Sequence, residues 1–317
     1  DENQRNPFVF ENYYADDPIR HPDLLHNTHH PFNGEPRIHL LTDSYYTPNE
    51  LHYVRLHLHV PDLNPDEYEL EVHGYGVRHT KFSLNDLKTK FRRYETVTGL
   101  QCAGNRREDF HNAGIGKKIF IGPHWVSSAF SNAKWAGARM RDVLEYCGLD
   151  VDAMALGKVR SPYIKHLQFE GYDVSETGLS YGSGIPIDKA VDALGDVLCA
   201  YEMNGEDVPR DHGYPVRALV PGHAGARSFL NHIIVSSEES QKPWQIHAYR
   251  GFAPDITFEN DLYLWYNGPK VRLDQAQIVQ GQPVTSLPCN PPPNSIVGGY
   301  IEELEVNLAD AERTLRR

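Results

Sequence analysis

Apolar and polar residues alternate in several short runs of this chain, and a period of two predicts strands. In "YELEVHG", Tyr68, Leu70 and Val72 fall on one face and Glu69, Glu71 and His73 on the other. "LHYVRLHLHVP", residues 51–61, alternates well enough to predict a half-buried strand. "VLCAYEMNGEDVP" predicts a strand that runs into Asn204-Gly205, the strongest short hairpin signal. "YPVRALVPG" and "NHIIVSSEE" add two more strands.

Helical periods are fewer. "SLNDLKTKF" opens with Ser83 as an N-cap and Asp86 three residues on, which predicts a short capped helix. In "GARMRDVLEYCG", Met140, Val143, Leu144 and Cys147 lie at i, i+3, i+4 and i+7, and Gly148 follows as a stop. That places Cys147 in the core, and Cys199 lies inside a predicted strand. "YETVTGLQCAGNRRED" reads as a strand ending in a turn, where a rigid scaffold presents a loop.

The mixed order of elements predicts an α+β fold. Residues 1–50, with "DDPIRHPDLLHNTHHPFNGEP", have neither period and are expected to wrap the surface as an extended segment. No internal repeat interrupts the region up to about residue 265. "SLPCNPPPNS", residues 286–295, then reads as a linker, because three consecutive prolines cannot lie inside a sheet. The charged tail from Tyr300 fits strand and helix alike.

Length and composition narrow the function classes. With 317 residues and 40% hydrophobic content the chain can bury a sizeable core. A net charge of −12 argues against a general binder of nucleic acid or anionic membrane. It leaves room for a local basic pocket. The four cysteines form no CxxC pair and no disulfide framework, and the 17 histidines show no HExxH or zinc-finger spacing. No apolar run is long enough to span a bilayer.

Against that acidic background three constellations stand out. Cys102 precedes Arg106 and Arg107, whose charges would favour a thiolate suited to a soft metal or to nucleophilic attack. The same pattern also describes a buried strand-end cysteine beside two surface arginines. Arg55 and His57 lie two apart on a predicted strand, so they share a face, either a solvated one or an oxyanion site. Asp211, His212, Arg217, His223 and Arg227 cluster in a Gly/Pro-rich stretch that reads as a phosphate cradle or as a solvated loop. Tyr249 and Asp173 are unremarkable locally. A tyrosine can donate to an anion, and an aspartate can accept from a heterocycle N–H.

Taken together, "LQCAGNRR", "AKWAGARMRDVL", "YGSGIPI" and "AYEMNGEDVPRDHGYPVRALVPG" stand in the order found in the sulfite oxidase family of molybdenum enzymes. The chain resembles that family from about "YYADDPIRHP" to "HAYRGFAP". The resemblance implies a β-rich, molybdopterin-binding catalytic domain at residues 51–267. Residues 268–317 would be the partial or divergent start of an immunoglobulin-like dimerisation domain, beginning near "DQAQIVQGQPVTSL". It implies Mo-molybdopterin as cofactor, with Cys102 as the metal ligand. Arg55, Arg107 and Tyr249 would be catalytic. Tyr53, Val54, Arg55, Leu56, His57, Cys102, Asp173, His212, Arg217, Ser228, Phe229 and Leu230 would hold the cofactor. The implied reaction oxidises sulfite to sulfate by oxygen-atom transfer from a molybdenum-oxo centre. An external acceptor such as a cytochrome or oxygen would take the electrons.

Departures from the family pattern are specific. "GARSFLNHIIV" lacks a Lys-Trp pair after its arginine, and Ala248 stands where an aspartate usually precedes the tyrosine. About 50 residues follow Asn267, roughly half of what an immunoglobulin-like sandwich needs. No His-Pro-Gly-Gly block is present, so no haem site is expected in this chain. The alternatives are a nitrate reductase molybdenum domain and an inactive, cofactor-free relative that binds anions or serves in interactions. Neither nucleic acid nor membrane is an expected partner, and a homodimer is. The mitochondrial intermembrane space is the location an animal-type homologue would imply.

Overall fold

The computed structural model of the chain describes residues 14–112, 122–225, 227–251, 277–279, 281 and 282. Three sheets carry the fold. The first joins β1 (Leu24–His29), β2 (Phe32–Pro36) and β3 (Val54–Arg55), all antiparallel. The segment expected to be featureless is therefore a β-hairpin over residues 24–36, followed by single 3-10 turns at Ile38–Thr42 and Asn49–Leu51. The long strand expected over residues 51–61 shrinks to β3. The Leu56 N–H is taken by the side-chain carbonyl of Asn33 at 3.1 Å instead of by a neighbouring strand, and the ladder stops there.

The remaining elements, in chain order, begin with β4 (Glu69–Gly74), β5 (Thr80–Ser83), α1 (Leu84–Thr89), β6 (Arg93–Gln101), α2 (Arg107–Asn112) and β7 (Phe130–Arg139). Next come α3 (Met140–Tyr146), α4 (Val151–Ala155), β8 (His166–Val174), β9 (Ser180–Pro186) and α5 (Ile187–Val191). The last are β10 (Leu198–Met203), β11 (Glu206–Asp207), β12 (Arg217–Leu219), β13 (Leu230–Ser236), β14 (Arg250–Gly251) and β15 (Gln277–Ile278).

The second sheet runs β11-β10-β7-β6, with β12 also on β10. The third runs β5-β4-β13-β8-β9. Tyr68, Leu70 and Val72 are buried, as their alternation requires, and pack with Met140, Val143, Leu144 and Cys147 in the main core. Ser83 caps α1 in a full capping box with Asp86. Asn204 and Gly205 both adopt left-handed φ values, +52° and +90°, at the turn between β10 and β11. A two-residue turn with both central φ positive matches the twist of its strands.

A second apolar cluster contains Tyr53, Cys102, Trp125, Trp135 and Leu198. A third joins the N-terminal sheet to Phe229. The candidate site lies where Cys102, Tyr53 and the loops after β12 meet. Residues 277–282 reach the same region: β15 pairs with β14, and Gln282 N–H donates to Gly222 O at 3.0 Å. The boundary near residue 267, the proline-rich linker, Cys289 and the charged tail lie outside the described residues. Among the described residues no helix is long and apolar enough to cross a membrane.

Candidate active site

Strand β6 ends at Gln101 and delivers Cys102 into a tight turn. Cys102 N–H donates to Ala129 O at 2.9 Å, Asn105 N–H to Cys102 O at 3.0 Å, and Gly104 N–H points at Sγ from 3.3 Å. The side chain is 4% exposed. Its apolar neighbours alone would fit the structural reading of this cysteine. The other side of the sulfur does not.

The two arginines that follow Cys102 part company. Arg106 takes a left-handed φ of +65° and turns outward to Asp109 at 2.6 Å. Arg107 opens α2, which the sequence pattern did not predict, and folds back over the turn. Its guanidinium lies so close to Gly104 and Gly122 that a Cβ on either would come within 2.7 to 2.8 Å of it. Its Nη1 donates to Pro123 O at 2.9 Å. Burial is the main influence lowering the Arg107 pKa, and the repulsive charge of Arg55 adds to it. The proximity of Cys102 acts the other way.

Arg55, Arg107, Arg217 and Arg227 all converge here, and among the described residues every hydrogen bond they make goes to a neutral oxygen. Arg55 reaches Asn33 Oδ1 and Leu56 O; Arg217 reaches His212 O; Arg227 reaches Ala224 O and Gly225 O. Among the described residues none of the four meets a carboxylate. Burial lowers the pKa of Arg217 to about 10 and moves Arg227 the same way. Buried cations without counter-charge are costly and mark a place where an anion belongs.

Tyr249 closes this face. Its hydroxyl lies 3.0 Å from His57 Nε2 and 3.4 Å from the Tyr181 hydroxyl, and the His57 ring stacks on Tyr181 with centroids 4.4 Å apart. Burial, with help from Arg55, lowers the His57 pKa well below the ordinary histidine value, so its ring is neutral at pH 7. The cleft in this region opens beside Tyr249 and Arg227; Cys102, Arg55 and Arg107 do not line it.

The third group of side chains comes from β8 and the loops around β12. Asp173 lies on the apolar face of β8, in line with Leu167 and Phe169, and its Oδ1 has no hydrogen-bond partner among the described residues. Gly171 leaves room for that carboxylate, since a Cβ there would lie 2.1 Å from Oδ1. His212 is buried and bonds Asn49 O at 3.0 Å. Arg217 packs over the Trp135 ring at 4.9 Å and leaves its Nε without a partner among the described residues. Ser228 adjoins Gly213.

Residues 57–244 match the oxidoreductase molybdopterin binding domain family. This chain belongs to that family. It is 43% identical over 281 residues to human mitochondrial sulfite oxidase, covering 88% of this chain and 47% of the human protein. The nitrate reductase of Hordeum vulgare is 34% identical over 266 residues, 82% of this chain and 28% of that protein. The sulfane dehydrogenase SoxCD from Paracoccus pantotrophus superposes with a TM-score of 0.58 over 80% of this chain and 59% of its own, at 23% identity, which is a likeness of fold. The chain spans about half the length of the animal sulfite oxidases it matches.

The residues present suit a molybdopterin. The unpartnered Asp173 Oδ1 can accept from ring N–H groups, the Arg217 Nε can donate to a phosphate, and Cys102 offers a sulfur donor. Of the remaining expected contacts, Val54, Leu56, Phe229 and Leu230 bury their side chains in apolar clusters, so only their backbones face outward chemistry. Asp211, from the same cluster as His212, is occupied by Arg20 at 2.9 and 3.1 Å. Pattern reasoning did not pick out Tyr181 or Glu35 at all, and it placed Arg227 in a cluster without giving it a role.

Burial pushes the Asp173 carboxyl up to about 7. The folded carboxyl thus keeps its proton to about pH 7, whereas an unfolded one loses it near about pH 4. The cofactor-free protein therefore loses stability from this group as pH rises between those values. Asp173→Asn is expected to melt higher than the parent above pH 7 and to lose this part of the slope. Thermal melts from pH 4 to 8 on both cofactor-free proteins check this, and parallel curves would rule Asp173 out as the source.

Proposed function

We propose that this chain is the molybdenum-cofactor domain of an enzyme that oxidises sulfite to sulfate. The observation that carries the reading is the convergence, around the buried Cys102 thiol and the half-buried Tyr249, of four arginines that meet no carboxylate among the described residues. When bound, the cofactor supplies the redox centre and the oxygen atom that is transferred. Cys102 holds its metal. Asp173 accepts from the pterin, while His57, His212, Arg217 and Ser228 flank the remainder and its phosphate. Tyr53 and the backbones of Val54, Leu56, Phe229 and Leu230 form the walls.

Arg55 and Arg107 draw in and orient the dianion by charge-assisted hydrogen bonds. Tyr249 sits between that pair and neutral His57. If the imidazole donates from Nε2, the phenol hydrogen is free to point at the substrate. Each charge-assisted bond contributes about 1.5–3 kcal/mol, so Arg55→Gln is expected to raise KM for sulfite about 10- to 100-fold. Molybdenum content should stay unchanged. Steady-state assays with ferricyanide, beside metal analysis, check it; an unmoved KM would take Arg55 out of the substrate pocket.

The barley relative motivates the second reading, nitrate reduction. Parallel assays with sulfite and ferricyanide, and with nitrate and reduced viologen, separate the two. Molybdenum near zero in protein from a cofactor-making host would instead favour a cofactor-free relative. We place the catalytic unit at residues 51–267, and the pairing of β2 with β3 supports adding the 24–36 hairpin to it. Residues 268–317 are taken as the start of the dimerisation module, with a homodimer as the assembly. The electron acceptor is an external cytochrome or oxygen, and the location the mitochondrial intermembrane space; the names of the animal relatives support the mitochondrion only.

A further inference from the structure

The N-terminal segment reaches across the fold to the turn that carries His212. Arg20 donates from Nε to Asp211 Oδ2 at 3.1 Å and from Nη2 to Asp211 Oδ1 at 2.9 Å, across 191 positions of sequence. The same Nη2 donates to Asp17 Oδ2 at 3.0 Å. The side chains of Arg20, Asp17 and Asp211 are 11%, 7% and 11% exposed, so salt and water screen these charges little. Arg20 is itself fixed: its guanidinium lies 4.5 Å from the centre of the Phe32 ring, and Asp17 Oδ1 accepts from Val60 N–H at 3.2 Å. Asp211 is the middle residue of a 3-10 turn, Arg210–His212. His212 N–H donates to Pro209 O at 2.9 Å, and Arg217 Nη1 donates to His212 O at 2.7 Å. The turn therefore sets the imidazole of His212 and the guanidinium of Arg217 together. It also sets a carboxylate beside them.

We propose that Arg20 is a positioning residue for the cofactor: it cancels the charge of Asp211 and pins its turn, so that His212 and Arg217 can hold a phosphate. The inference rests on the cofactor reading of this site and adds to it a residue upstream of the unit placed at residues 51–267. Burial pushes the Asp211 carboxyl up, Arg20 is the main influence holding it down, and Asp17 adds to the rise. Without Arg20, two buried carboxylates would face each other next to an anion. Arg210 also faces Asp211, but its Nη2 lies 3.7 Å from the exposed carboxylate of Asp62 and is shared with it. At short range in a protein interior, one uncompensated negative charge weakens phosphate binding by about tenfold or more. A lysine could supply the charge of Arg20 but not its two-point contact with Asp211.

The test follows the molybdenum and pterin that stay on cofactor-loaded protein during dialysis, with hydrogen exchange across residues 209–218 as a second readout. Arg20→Gln should lose cofactor at least about tenfold faster than the parent. Arg20→Gln combined with Asp211→Asn should return to within about threefold of the parent, because the repelling carboxylate is gone although the pin is not restored. Arg20→Lys should hold cofactor as the double variant does while its turn exchanges faster than the parent's. Parent-like retention in Arg20→Gln overturns the proposal. So does a double variant as leaky as Arg20→Gln, which would mean a structural pin and no role for the charge. If Arg20→Gln does not fold, the double variant decides against the parent: retention within about threefold supports the proposal, and loss about tenfold faster overturns it. A parent without molybdenum sinks the proposed function, and inorganic phosphate then replaces the cofactor as probe. Phosphate should slow exchange at residues 209–218 in the parent and the double variant but not in Arg20→Gln. Equal slowing in all three, or in none, overturns the proposal.

Discussion

Cys102→Ser is expected to abolish sulfite oxidation while leaving the protein folded. The substitution changes one buried atom at the end of β6. The turn around it is held by backbone bonds to Ala129 O and from Asn105 N–H, which serine keeps, and Gly104 N–H can meet a hydroxyl as it meets the sulfur. Stability should therefore move by no more than about 1 kcal/mol. The chemistry moves much more. A hydroxyl is a harder and far less acidic donor than a thiol, poorly suited to a soft-ligand site. Groups that only support a metal ligand already cost about 10–100-fold when removed, so losing the ligand itself should exceed about 100-fold. Turnover with ferricyanide, circular dichroism and molybdenum content on one preparation check this. Unchanged turnover would end the ligand assignment.

Cys199 supplies the contrast. It is fully buried in the main core, where burial raises its thiol pKa to about 12, and among the described residues no arginine faces it. Replacing it disturbs packing and leaves turnover alone.

How far the sequence spoke for itself depends on whether a feature is local. Where one face of an element is buried along its length, the period shows. Leu70 and Val72 of β4, and Met140, Val143 and Leu144 of α3, are at 0% exposure, as their spacing requires. The Asn204-Gly205 turn is equally local, because φ alone decides it. The 24–36 hairpin hid because its buried residues include Asn33 and Glu35, polar side chains satisfied by partners elsewhere. Periodicity counts such residues as surface. The same blindness applies to Arg106 and Arg107. Adjacent in sequence, they face opposite ways because one φ is positive, and no composition rule reports that. Tyr181, Arg227 and Tyr249 meet only through the fold. Each was visible as a residue, but Tyr181 had no local signal marking it as part of a site.

Glu35→Ala is expected to cost about 3–5 kcal/mol of stability. Glu35 is at 0% exposure, and its carboxylate accepts from the backbone N–H groups of Val126, Ser127 and Ser128 at 2.7, 3.2 and 2.6 Å, and from Asn27 at 2.9 Å. Alanine leaves the buried Ser128 N–H without an acceptor, at about 1–3 kcal/mol, together with the part-buried N–H groups of Val126 and Ser127 and the Asn27 amide, which water reaches more easily and which add less each. Glu35→Gln keeps one acceptor oxygen and should lose only part of this. The segment concerned leads into Ala129, whose carbonyl anchors the Cys102 N–H and whose own N–H donates to Asn105 at 3.1 Å. The loss is therefore expected to reach the cofactor. At about 2–4 °C per kcal/mol for a large domain, Glu35→Ala should melt roughly 10 °C lower and retain less molybdenum after gel filtration. A melting point within 1–2 °C of the parent, about the size of a surface substitution, would mean that water replaces the carboxylate freely and that the N-terminal hairpin does not brace the cysteine turn.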